Sequence, residues 1–483
     1  MPECSPNILL APNGRWPAGP HLSQRLLSGA LFRGNSAEFM VSNARRYGDL
    51  VHFRAAGRDV LQCNHPELVH EMLVRDAPRH HRGIVMQRAR FVLGDGMLTS
   101  EEPLHMRQRR LSQPAFHRDR IAGYGEIIGR YALTMTDRWQ DGSTRDLHAD
   151  MLLLALSIVG KCLFDTEVDT EVKRVAAAVD AFMGFLPLAF LPFSKTILRL
   201  PLPLMRRIRN GEAELTAMID GMIQRRRAEP GDRGDLLSML IEAVDPEVDS
   251  GIDSEIDSGI DSGIDSGLAT AENPGQMSDR QVRDECLTLL LAGHETTANA
   301  LSFALWLLAT HPAIQDAVHA EAVAALRDPI ATAADYPALP FTRAVFAEAM
   351  RLYPPVWVTA RTAAQSYEFR GFAIPSGALL LAPQIAIHHD PRFYPEPERF
   401  DPTRFLDDGA RAERPRLAYF PFGAGGRRCI GEGLAWMEGV LTLATVLRDW
   451  QLAPTAAALT ELAVLPRITL RPKNGLPLVL SRR

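Results

Sequence analysis

Apolar residues recur every three to four positions along most of the chain, a spacing that predicts α-helices with a buried face. Strand-like segments occur at residues 50–64 (short strands on either side of Gly57), between residues 363 and 383, and near the C-terminal end. Ser278 is a predicted N-cap of a long helix, which Pro312 ends. The pattern therefore predicts a mainly α fold with minor β content. The predicted helices are Ile121–Trp139, Leu147–Phe164, Val172–Phe185, Met205–Arg227, Gly234–Ala243, Arg283–Thr310, Phe341–Leu352 and Leu434–Trp450.

Two stretches break this periodicity. The centre of Asp245–Glu272, Asp249–Gly267, repeats the unit Asp-Ser-Gly-Ile, with one Asp-Ser-Glu-Ile. Its glycines and serines oppose a helix, so we interpret Asp245–Glu272 as a low-complexity, solvated loop. Its regularly spaced carboxylates could bind calcium, but the spacing matches neither an EF-hand loop nor the nine-residue calcium repeat. A passive insert is the favoured interpretation. Residues 388–433 are rich in proline and glycine, and irregular stretches of this length are often functional.

Composition excludes several classes of protein. The chain has 483 residues, of which 46% are hydrophobic and 23% charged, as in a typical globular protein. The 53 basic and 58 acidic side chains give a net charge of −5, which argues against a nucleic-acid partner. Nine acidic residues and no lysine or arginine lie in Asp245–Glu272, so the remainder carries +4. Five widely spaced cysteines, without a C-x-x-C pair, oppose a disulfide framework or structural zinc site.

No targeting or membrane segment is apparent. The apolar run Ile8–Ala11 ends at Pro12 and is too short for a signal peptide. Leu287–Leu308 is long enough to cross a bilayer, but polar residues from His294 to Asn299 occupy its middle. We therefore predict a cytoplasmic protein without a transmembrane anchor. No linker divides the chain, so a single domain over residues 1–483 is expected, with residues 245–272 inserted in it.

The segment Phe422–Gly431 places four glycines around Cys429. Glycine permits turns with positive φ and lets backbone N–H groups approach an anion closely. A thiolate is such an anion, and Arg427 and Arg428 would lower its pKa. The helix that begins after Gly431 would add its positive dipole end. These features are what a stable, ligating cysteinate requires, but a buried structural cysteine in a glycine-rich turn accounts for the loop equally well.

This segment matches F-x-x-G-x-R-x-C-x-G, and on it the chain resembles the cytochrome P450 family of haem-thiolate monooxygenases. The matching positions are Phe422, Gly425, Arg427, Cys429 and Gly431. The resemblance implies the P450 fold and a cofactor, haem b (iron protoporphyrin IX), with the Cys429 thiolate as axial ligand of the iron. It extends over nearly the whole chain, in family order and spacing, with the acidic repeat as the clear departure.

The sequence Ala292-Gly293-His294-Glu295-Thr296-Thr297, in the middle of the long helix, resembles the family's oxygen-binding motif. A threonine hydroxyl can bond back to a carbonyl four residues earlier, which weakens the helical ladder and opens a groove for a small ligand. An acid beside a hydroxyl can relay protons into a dry site. The resemblance implies that Thr296 holds dioxygen and a water, and that Glu295 helps to deliver protons. Ala292 and Gly293 are expected to face the haem.

Two further motifs support the resemblance. Of the four E-x-x-R patterns in the chain, only Glu348–Arg351 lies in a helix that continues into Leu-Tyr-Pro-Pro. The family then implies a structural network with Arg399, from Pro-Glu-Arg-Phe. His105 and Arg109 are i, i+4 neighbours at the position of the family's W-x-x-x-R, and histidine there is similar to soluble bacterial members.

The resemblance implies four side chains at the haem propionates, three of them arginines, whose guanidinium groups can bind a carboxylate with two hydrogen bonds. They are His105, Arg109, Arg361 and Arg427. No flavin or nicotinamide domain fits in the remaining chain, so electrons would come from a ferredoxin- or flavodoxin-type donor with its reductase. A basic surface is expected to bind that acidic donor. Its predicted members are Arg107, Arg109, Arg110, Arg118, Arg120, Arg427 and Arg428.

The expected reaction is the insertion of one oxygen atom of O2 into a lipophilic small molecule, such as a fatty acid or terpenoid, by a monomeric enzyme. The segments expected to line the substrate pocket are mostly apolar: Arg82–Leu98, Phe182–Phe193, Leu290–Thr297, Val356–Thr359 and Val464–Ile468. One alternative is a peroxygenase or isomerase without a redox partner, against which Glu295 and Thr296 argue. The other is a non-catalytic haem sensor, which would need an output element that the sequence does not show.

Overall fold

A computed structural model describes residues 16–20, 35–55, 57–165, 202–229, 231, 233–245, 275–406, 413–455 and 462–483. The predicted helix Val172–Phe185, the predicted pocket segment Phe182–Phe193 and the repeat beyond Asp245 lie outside these residues. Within them, the fold is mainly helical with short sheets, as the sequence predicts.

The regular elements are numbered along the chain. The helices are α1 Ser36–Tyr47, α2 Pro66–His70, α3 Ile84–Leu93, α4 Leu104–Ser112, α5 Arg118–Thr136, α6 Leu147–Phe164, α7 Pro203–Ala228, α8 Leu236–Glu242, α9 Asp279–Thr310, α10 Pro312–Ala325, α11 Pro340–Leu352, α12 Gln384–His388 and α13 Glu432–Asp449. The strands are β1 Leu50–Ala55, β2 Arg58–Cys63, β3 His80–Arg82, β4 Thr144–Asp146, β5 Thr359–Ala363, β6 Tyr367–Phe369, β7 Phe372–Ile374, β8 Leu379–Ala382, β9 Trp450–Pro454, β10 Val464–Pro466, β11 Leu470–Pro472 and β12 Pro477–Arg482.

Local signals account for the ends of the longest helices. Ser278 caps α9 with a reciprocal pair of hydrogen bonds to Gln281, so the prediction of this N-cap is confirmed. Asp146 caps α6, because its carboxylate accepts the N–H groups of His148 and Ala149. Helix α6 has the predicted bounds, and α9 begins at Asp279, the residue after the predicted cap and four residues before its apolar period starts at Arg283. Its whole length of 32 residues therefore forms one helix.

The chain divides into two compact units that interleave along the sequence. The first comprises Met1–Ile84, Ala344–Cys429 and Ala463–Lys473, and the second comprises Val85–Arg343, Ile430–Leu462 and Asn474–Arg483. Because each unit is assembled from separated segments, no single linker marks a boundary, which is why the sequence pattern indicates none.

The first unit is built on a five-stranded sheet of order β1-β2-β8-β5-β3. Only β2 and β8 pair in parallel, and the remaining neighbours are antiparallel. Two small hairpins, β6-β7 and β10-β11, belong to the same unit. A core of buried apolar side chains, including Leu61, Met72, Phe369 and Phe420, covers the sheet and reaches the start of the cysteine segment.

The second unit contains the long helices. Helix α9 packs along α6, and α13 packs along α5, with the sheet β4-β12-β9 at one side. Among the described residues, α6 is the helix whose length and apolar composition would allow it to cross a bilayer. It is 72% buried within the protein, however, and the core helix of a globular protein has the same composition.

Candidate haem-binding and oxygen-activating residues

The cysteine segment of the first unit is a tight loop whose shape requires glycine. Gly423 and Gly425 have φ values of 73° and 72°, and a single 3-10 turn covers Gly425–Arg427. A β-carbon on Gly425 would lie 2.2 Å from the carbonyl oxygen of Leu73, so any side chain there would clash with the backbone. The N–H of Cys429 donates to the carbonyl oxygen of Phe422 at 2.9 Å, which closes the loop.

Cys429 differs from the other described cysteines in its accessibility. It is exposed, whereas Cys63, Cys162 and Cys286 are buried. Burial raises the pKa of the Cys63 thiol to about 12 and raises those of Cys162 and Cys286 as well, which keeps these three protonated. A cysteine ligates a metal as the thiolate and not as the protonated thiol. Of the described cysteines, Cys429 therefore fits the role of a haem ligand best.

The Glu348–Arg351 pair lies in the same unit and is fully buried. Arg351 donates from Nε and Nη2 to the two carboxylate oxygens of Glu348, each at 2.7 Å. Its Nη1 also donates to the carbonyl oxygens of His388 and Pro397, at 2.7 and 2.8 Å. This arrangement satisfies the charged groups that burial would otherwise penalise.

The predicted third member of this network is corrected by the structure. Arg399 contributes only its carbonyl oxygen, 3.2 Å from Nη2 of Arg351, while its side chain is 59% exposed and faces Glu396 and Asp401. Arg404 approaches Glu348 instead, with Nε 3.5 Å from Oε1 and a side chain only 11% exposed. The pattern Pro-x-Arg-Phe occurs twice, at residues 397–400 and 402–405, and the second copy supplies the guanidinium.

In the second unit, the middle of α9 has an open patch on an otherwise buried helix. Between residues 284 and 305, only Ala292, Gly293 and Thr296 are half-buried, and every other residue is buried. The Thr296 hydroxyl donates to the carbonyl oxygen of Ala292 at 2.7 Å, as the sequence predicts. A β-carbon on Gly293 would lie 3.0 Å from Val159 of α6. Small residues thus leave accessible space beside a hydroxyl in the helix centre.

Two neighbours of this patch carry titratable groups. Glu295 is 7% exposed, so its carboxyl group is sheltered from solvent one residue before Thr296. Burial lowers the pKa of His294 to about 4, so this imidazole is neutral near pH 7. An acid beside an accessible hydroxyl is the arrangement that proton relay requires, whereas a neutral histidine adds no charge.

The four side chains predicted at the propionates are distributed over both units. In the second unit, His105 and Arg109 lie on α4; His105 is buried, with Nδ1 2.9 Å from Oε1 of Glu102, and Arg109 is half-buried. In the first unit, Arg361 is 7% exposed on β5 and donates from Nη1 to the carbonyl oxygen of Ala360. Arg427 is half-buried in the turn before Cys429. Their role toward a propionate stays a prediction.

Two members of the predicted basic surface for an electron donor lie beside a buried carboxylate. Arg110 Nη2 lies 2.9 Å from Oδ2 of Asp245, and Arg107 Nε lies 3.7 Å from the same oxygen. Asp245 is 3% exposed, so it is a buried counter-ion and not the first residue of a solvated loop. Two further members lie on α5: Arg118 is exposed, and Arg120 is half-buried.

Sequence reasoning missed a pair of acids on α9 that hold the chain after α3. Asp284 accepts the N–H of Asp95 at 2.8 Å, and Glu285 accepts the N–H of Met97 at 3.2 Å. A β-carbon on Gly96 would lie 2.1 Å from the Thr288 hydroxyl, so the contact requires glycine. The available signal was the pair Asp284-Glu285 at the start of an apolar helical run. Because unpaired charges are rarely buried, acids in such a position indicate that they have hydrogen-bond partners.

Known proteins resemble this chain over most of its length. The family model described as "Cytochrome P450" matches residues 17–477. Cyclooctatin synthase of Streptomyces melanosporofaciens is 36% identical, over 84% of each chain. Cyclooctat-9-en-7-ol 5-monooxygenase of the same organism is 36% identical, over 84% of this chain and 83% of that protein. Pentalenene oxygenase of Streptomyces avermitilis is 31% identical, over 85% and 86%.

Solved structures show the same fold. The crystal structure of the cytochrome P450DA haem domain has a TM-score of 0.81 at 25% identity and covers 98% of both chains. A cyanobacterial P450 with bound retinoic acid has a TM-score of 0.80 at 22% identity, and covers 97% of this chain and all of that one. Together with the family match over nearly the whole length, these results show that the chain belongs to the cytochrome P450 family.

Proposed function

We propose that this enzyme is a haem-thiolate monooxygenase that inserts one oxygen atom of O2 into a cyclic terpenoid, with electrons from a separate protein donor. The observation that carries the proposal is the glycine-shaped loop that leaves Cys429 exposed while the other described cysteines are buried and protonated. The substrate class is inferred from relatives named for cyclooctat-9-en-7-ol and pentalenene, which favour a terpenoid over a fatty acid.

Bound haem would supply the oxygen chemistry, with electron donation from its thiolate ligand favouring O–O cleavage. The chain's own contribution at the ligand is the Cys429 thiolate. Two neighbours would stabilise this negative charge: Arg427, half-buried in the preceding turn, and the N-terminus of α13, which begins at Glu432. Arg361, His105 and Arg109 would hold the propionates, because partly buried cations suit carboxylates.

On α9, the chain would manage protons. The Thr296 hydroxyl now donates to the carbonyl oxygen of Ala292, so its oxygen can accept a hydrogen bond from a water. Rotation about the Cβ–Oγ1 bond would turn the same hydroxyl into a donor toward the accessible side. Glu295, which is nearly buried, would exchange the proton that this hydroxyl passes on. Ala292 and Gly293 would keep the space beside it free of side chains.

The carbonyl difference spectrum of the reduced protein tests the cysteine assignment. We expect the thiolate-type ferrous–CO band in the wild type, its loss in Cys429→Ser, and its retention in Cys286→Ser, which alters a buried thiol. A Cys429→Ser protein that keeps the thiolate-type band would refute the assignment.

The substrate proposal is tested by titrating the enzyme with pentalenene and, separately, with a saturated fatty acid. We expect a shift of the haem Soret band for the terpene only.

A turnover assay distinguishes the proposal from its alternatives. We expect product with a plant-type ferredoxin, its reductase and NADPH, and little product with hydrogen peroxide alone. The reverse result would favour a peroxygenase, and absence of product in both assays would favour a sensor.

The donor surface is tested by the rate of reduction by ferredoxin at low salt. Arg118→Glu should slow this rate, whereas a change at Arg107, which is mostly buried beside Asp245, should leave it unchanged. Cytoplasmic location and a monomeric state stay predictions.

A further inference from the structure

His388 lies between the Glu348–Arg351 pair and the chain that enters the cysteine loop. It is the last residue of α12, and it is fully buried. Its Nε2 lies 3.1 Å from the backbone nitrogen of Phe420, which is two residues before Phe422. A backbone N–H can only donate, so Nε2 must be the acceptor and the ring proton must be on Nδ1. Burial above all, and the neighbouring Arg351 guanidinium, lower the pKa of His388, which keeps Nε2 unprotonated.

Arg351 of helix α11 holds the main chain of His388. Its carbonyl oxygen accepts a hydrogen bond from Nη1 of Arg351 at 2.7 Å. One residue therefore connects a buried ion pair, through its carbonyl, to the start of the cysteine loop, through its ring. The connection contains no solvent-exposed group, so water cannot replace either bond without entering the core.

The aromatic surroundings fix the ring in place. The imidazole stacks on Tyr419 with a centroid distance of 5.3 Å and meets Phe420 edge-on at 5.6 Å. The Tyr419 hydroxyl donates to the carbonyl oxygen of Ala347 on α11 at 2.9 Å. Phe420 in turn accepts the N–H of Gly423 at 3.0 Å, where the loop begins to turn. A displacement at Phe420 would therefore be transmitted into the loop that ends at Cys429.

We propose that His388 is a positioning residue for the cysteine loop: by accepting the Phe420 N–H, it holds the loop in the conformation in which Cys429 ligates iron as a thiolate. The inference rests on the proposed ligand role of Cys429, and His388 itself touches neither cysteine nor haem. Neither the spacing nor the composition of residues 384–392 points to this role, because the acceptor and donor are 32 residues apart.

The test separates the hydrogen bond from the ring. His388→Phe keeps an aromatic ring but leaves the Phe420 N–H without an acceptor, and His388→Gln returns an acceptor oxygen near the position of Nε2. The matched control is His389→Phe, because His389 bonds to the carbonyl oxygen of Ile385 and faces Glu398. All variants are made in the full-length, haem-loaded enzyme, and the rate at which the thiolate-type ferrous–CO band is lost at one fixed temperature is measured.

We expect His388→Phe to lose the band about tenfold faster than the wild type, since a buried donor without a partner is costly. His388→Gln should return the rate to within about threefold of the wild type, and His389→Phe should match the wild type. Equal rates for His388→Phe and His389→Phe would overturn the inference. If His388→Phe does not fold, His388→Asn, whose amide is too short to reach, is compared with His388→Gln, and equal rates for this pair would also overturn it.

The haem–iron reduction potential is the second readout, because a merely structural loss of stability would leave the potential of the folded fraction unchanged. We expect His388→Phe to shift it and His388→Gln to restore it. Failure of the underlying ligand assignment is distinguishable: the wild type itself would then lack the thiolate-type band, and Cys429→Ser would leave its spectrum unchanged.

Discussion

The Glu285 carboxylate accepts the backbone N–H of Met97 at 3.2 Å and thereby attaches the chain after α3 to helix α9. Glu285 is fully buried, and burial raises its pKa to about 8. The adjacent Asp284 makes the same kind of bond to Asp95, and its pKa is raised to about 6. Both acids therefore favour their protonated forms in the folded protein more than in the unfolded chain.

This raised pKa predicts a pH-dependent stability. A carboxyl group whose folded pKa exceeds its ordinary value stabilises the fold at low pH and loses that contribution as pH rises toward the folded pKa. From pH 5 to pH 8 the wild type should lose on the order of 2–4 kcal/mol that Glu285→Gln, which keeps the acceptor without the charge, does not lose. Thermal midpoints of both proteins across this range measure the difference.

Asp284→Asn is the control for that experiment. Because the pKa of Asp284 is about 6, its difference from the wild type should develop mostly below pH 6 and change little above it. Parallel pH profiles for the wild type and Glu285→Gln would show that Glu285 is ionised throughout and would contradict the prediction.

Thr296→Ala should separate haem binding from productive oxygen use. The variant removes the one hydroxyl that the described residues place at the open patch of α9, while the buried helix around it is unchanged. We expect normal haem content, but at least about tenfold less product per NADPH, with the balance released as peroxide. Thr296→Ser retains the hydroxyl and should recover much of the coupling. Tight coupling in Thr296→Ala would exclude the proton-relay role.

The two arginines near Glu348 should differ strongly in their contribution to stability. Arg404→Ala removes an 11%-exposed guanidinium beside a buried carboxylate and should lower the free energy of unfolding by about 3 kcal/mol. Arg399→Ala removes an exposed side chain with long contacts of 3.4 and 3.6 Å and should cost less than about 0.5 kcal/mol. Urea unfolding of the two variants gives the comparison, and a larger loss for Arg399→Ala would restore the original prediction.

The acidic repeat should be removable because its two ends meet. The N–H of Asp245 donates to the carbonyl oxygen of Gly275 at 3.0 Å, and Val244 and Gln276 form an isolated β-bridge. Deleting residues 249–267 shortens the connection without disturbing this junction, so stability should stay equal or rise by up to about 1 kcal/mol. Asp245→Asn, which removes the counter-ion of Arg110, should instead destabilise the fold. A calcium-dependent thermal midpoint in the wild type, lost on deletion, would contradict a passive insert.

Elements governed by neighbouring residues were predictable from the sequence. Helix α6 has its predicted bounds because an apolar run follows a capping aspartate, and the Ser278 cap was visible from one side chain. The back-bond of Thr296 to Ala292 also depends on residues one helical turn apart. The Ser278 cap gives the start of α9 at Asp279, whereas the apolar period alone starts at Arg283, since polar side chains in the first turn hide it.

Pairings between distant residues were not predictable. The sequence pattern places Asp245 at the start of a solvated loop, yet it is buried beside Arg110, which precedes it by 135 residues. Arg399 and Arg404 share the same local pattern, and only the path of the chain after α12 decides which guanidinium meets Glu348. The acids at 284 and 285 and the imidazole of His388 likewise have partners that no short motif includes.

By itself, the sequence determined the helical class, the glycine-shaped cysteine loop and the small-residue patch of α9, because backbone dihedrals, caps and i, i+4 contacts depend on residues close together in the chain. Only the tertiary structure decided which buried charges are paired, which of the described cysteines is exposed, and which side chain hydrogen-bonds to the start of the cysteine loop. Those outcomes depend on desolvation, and a group is desolvated only when distant segments fold against it.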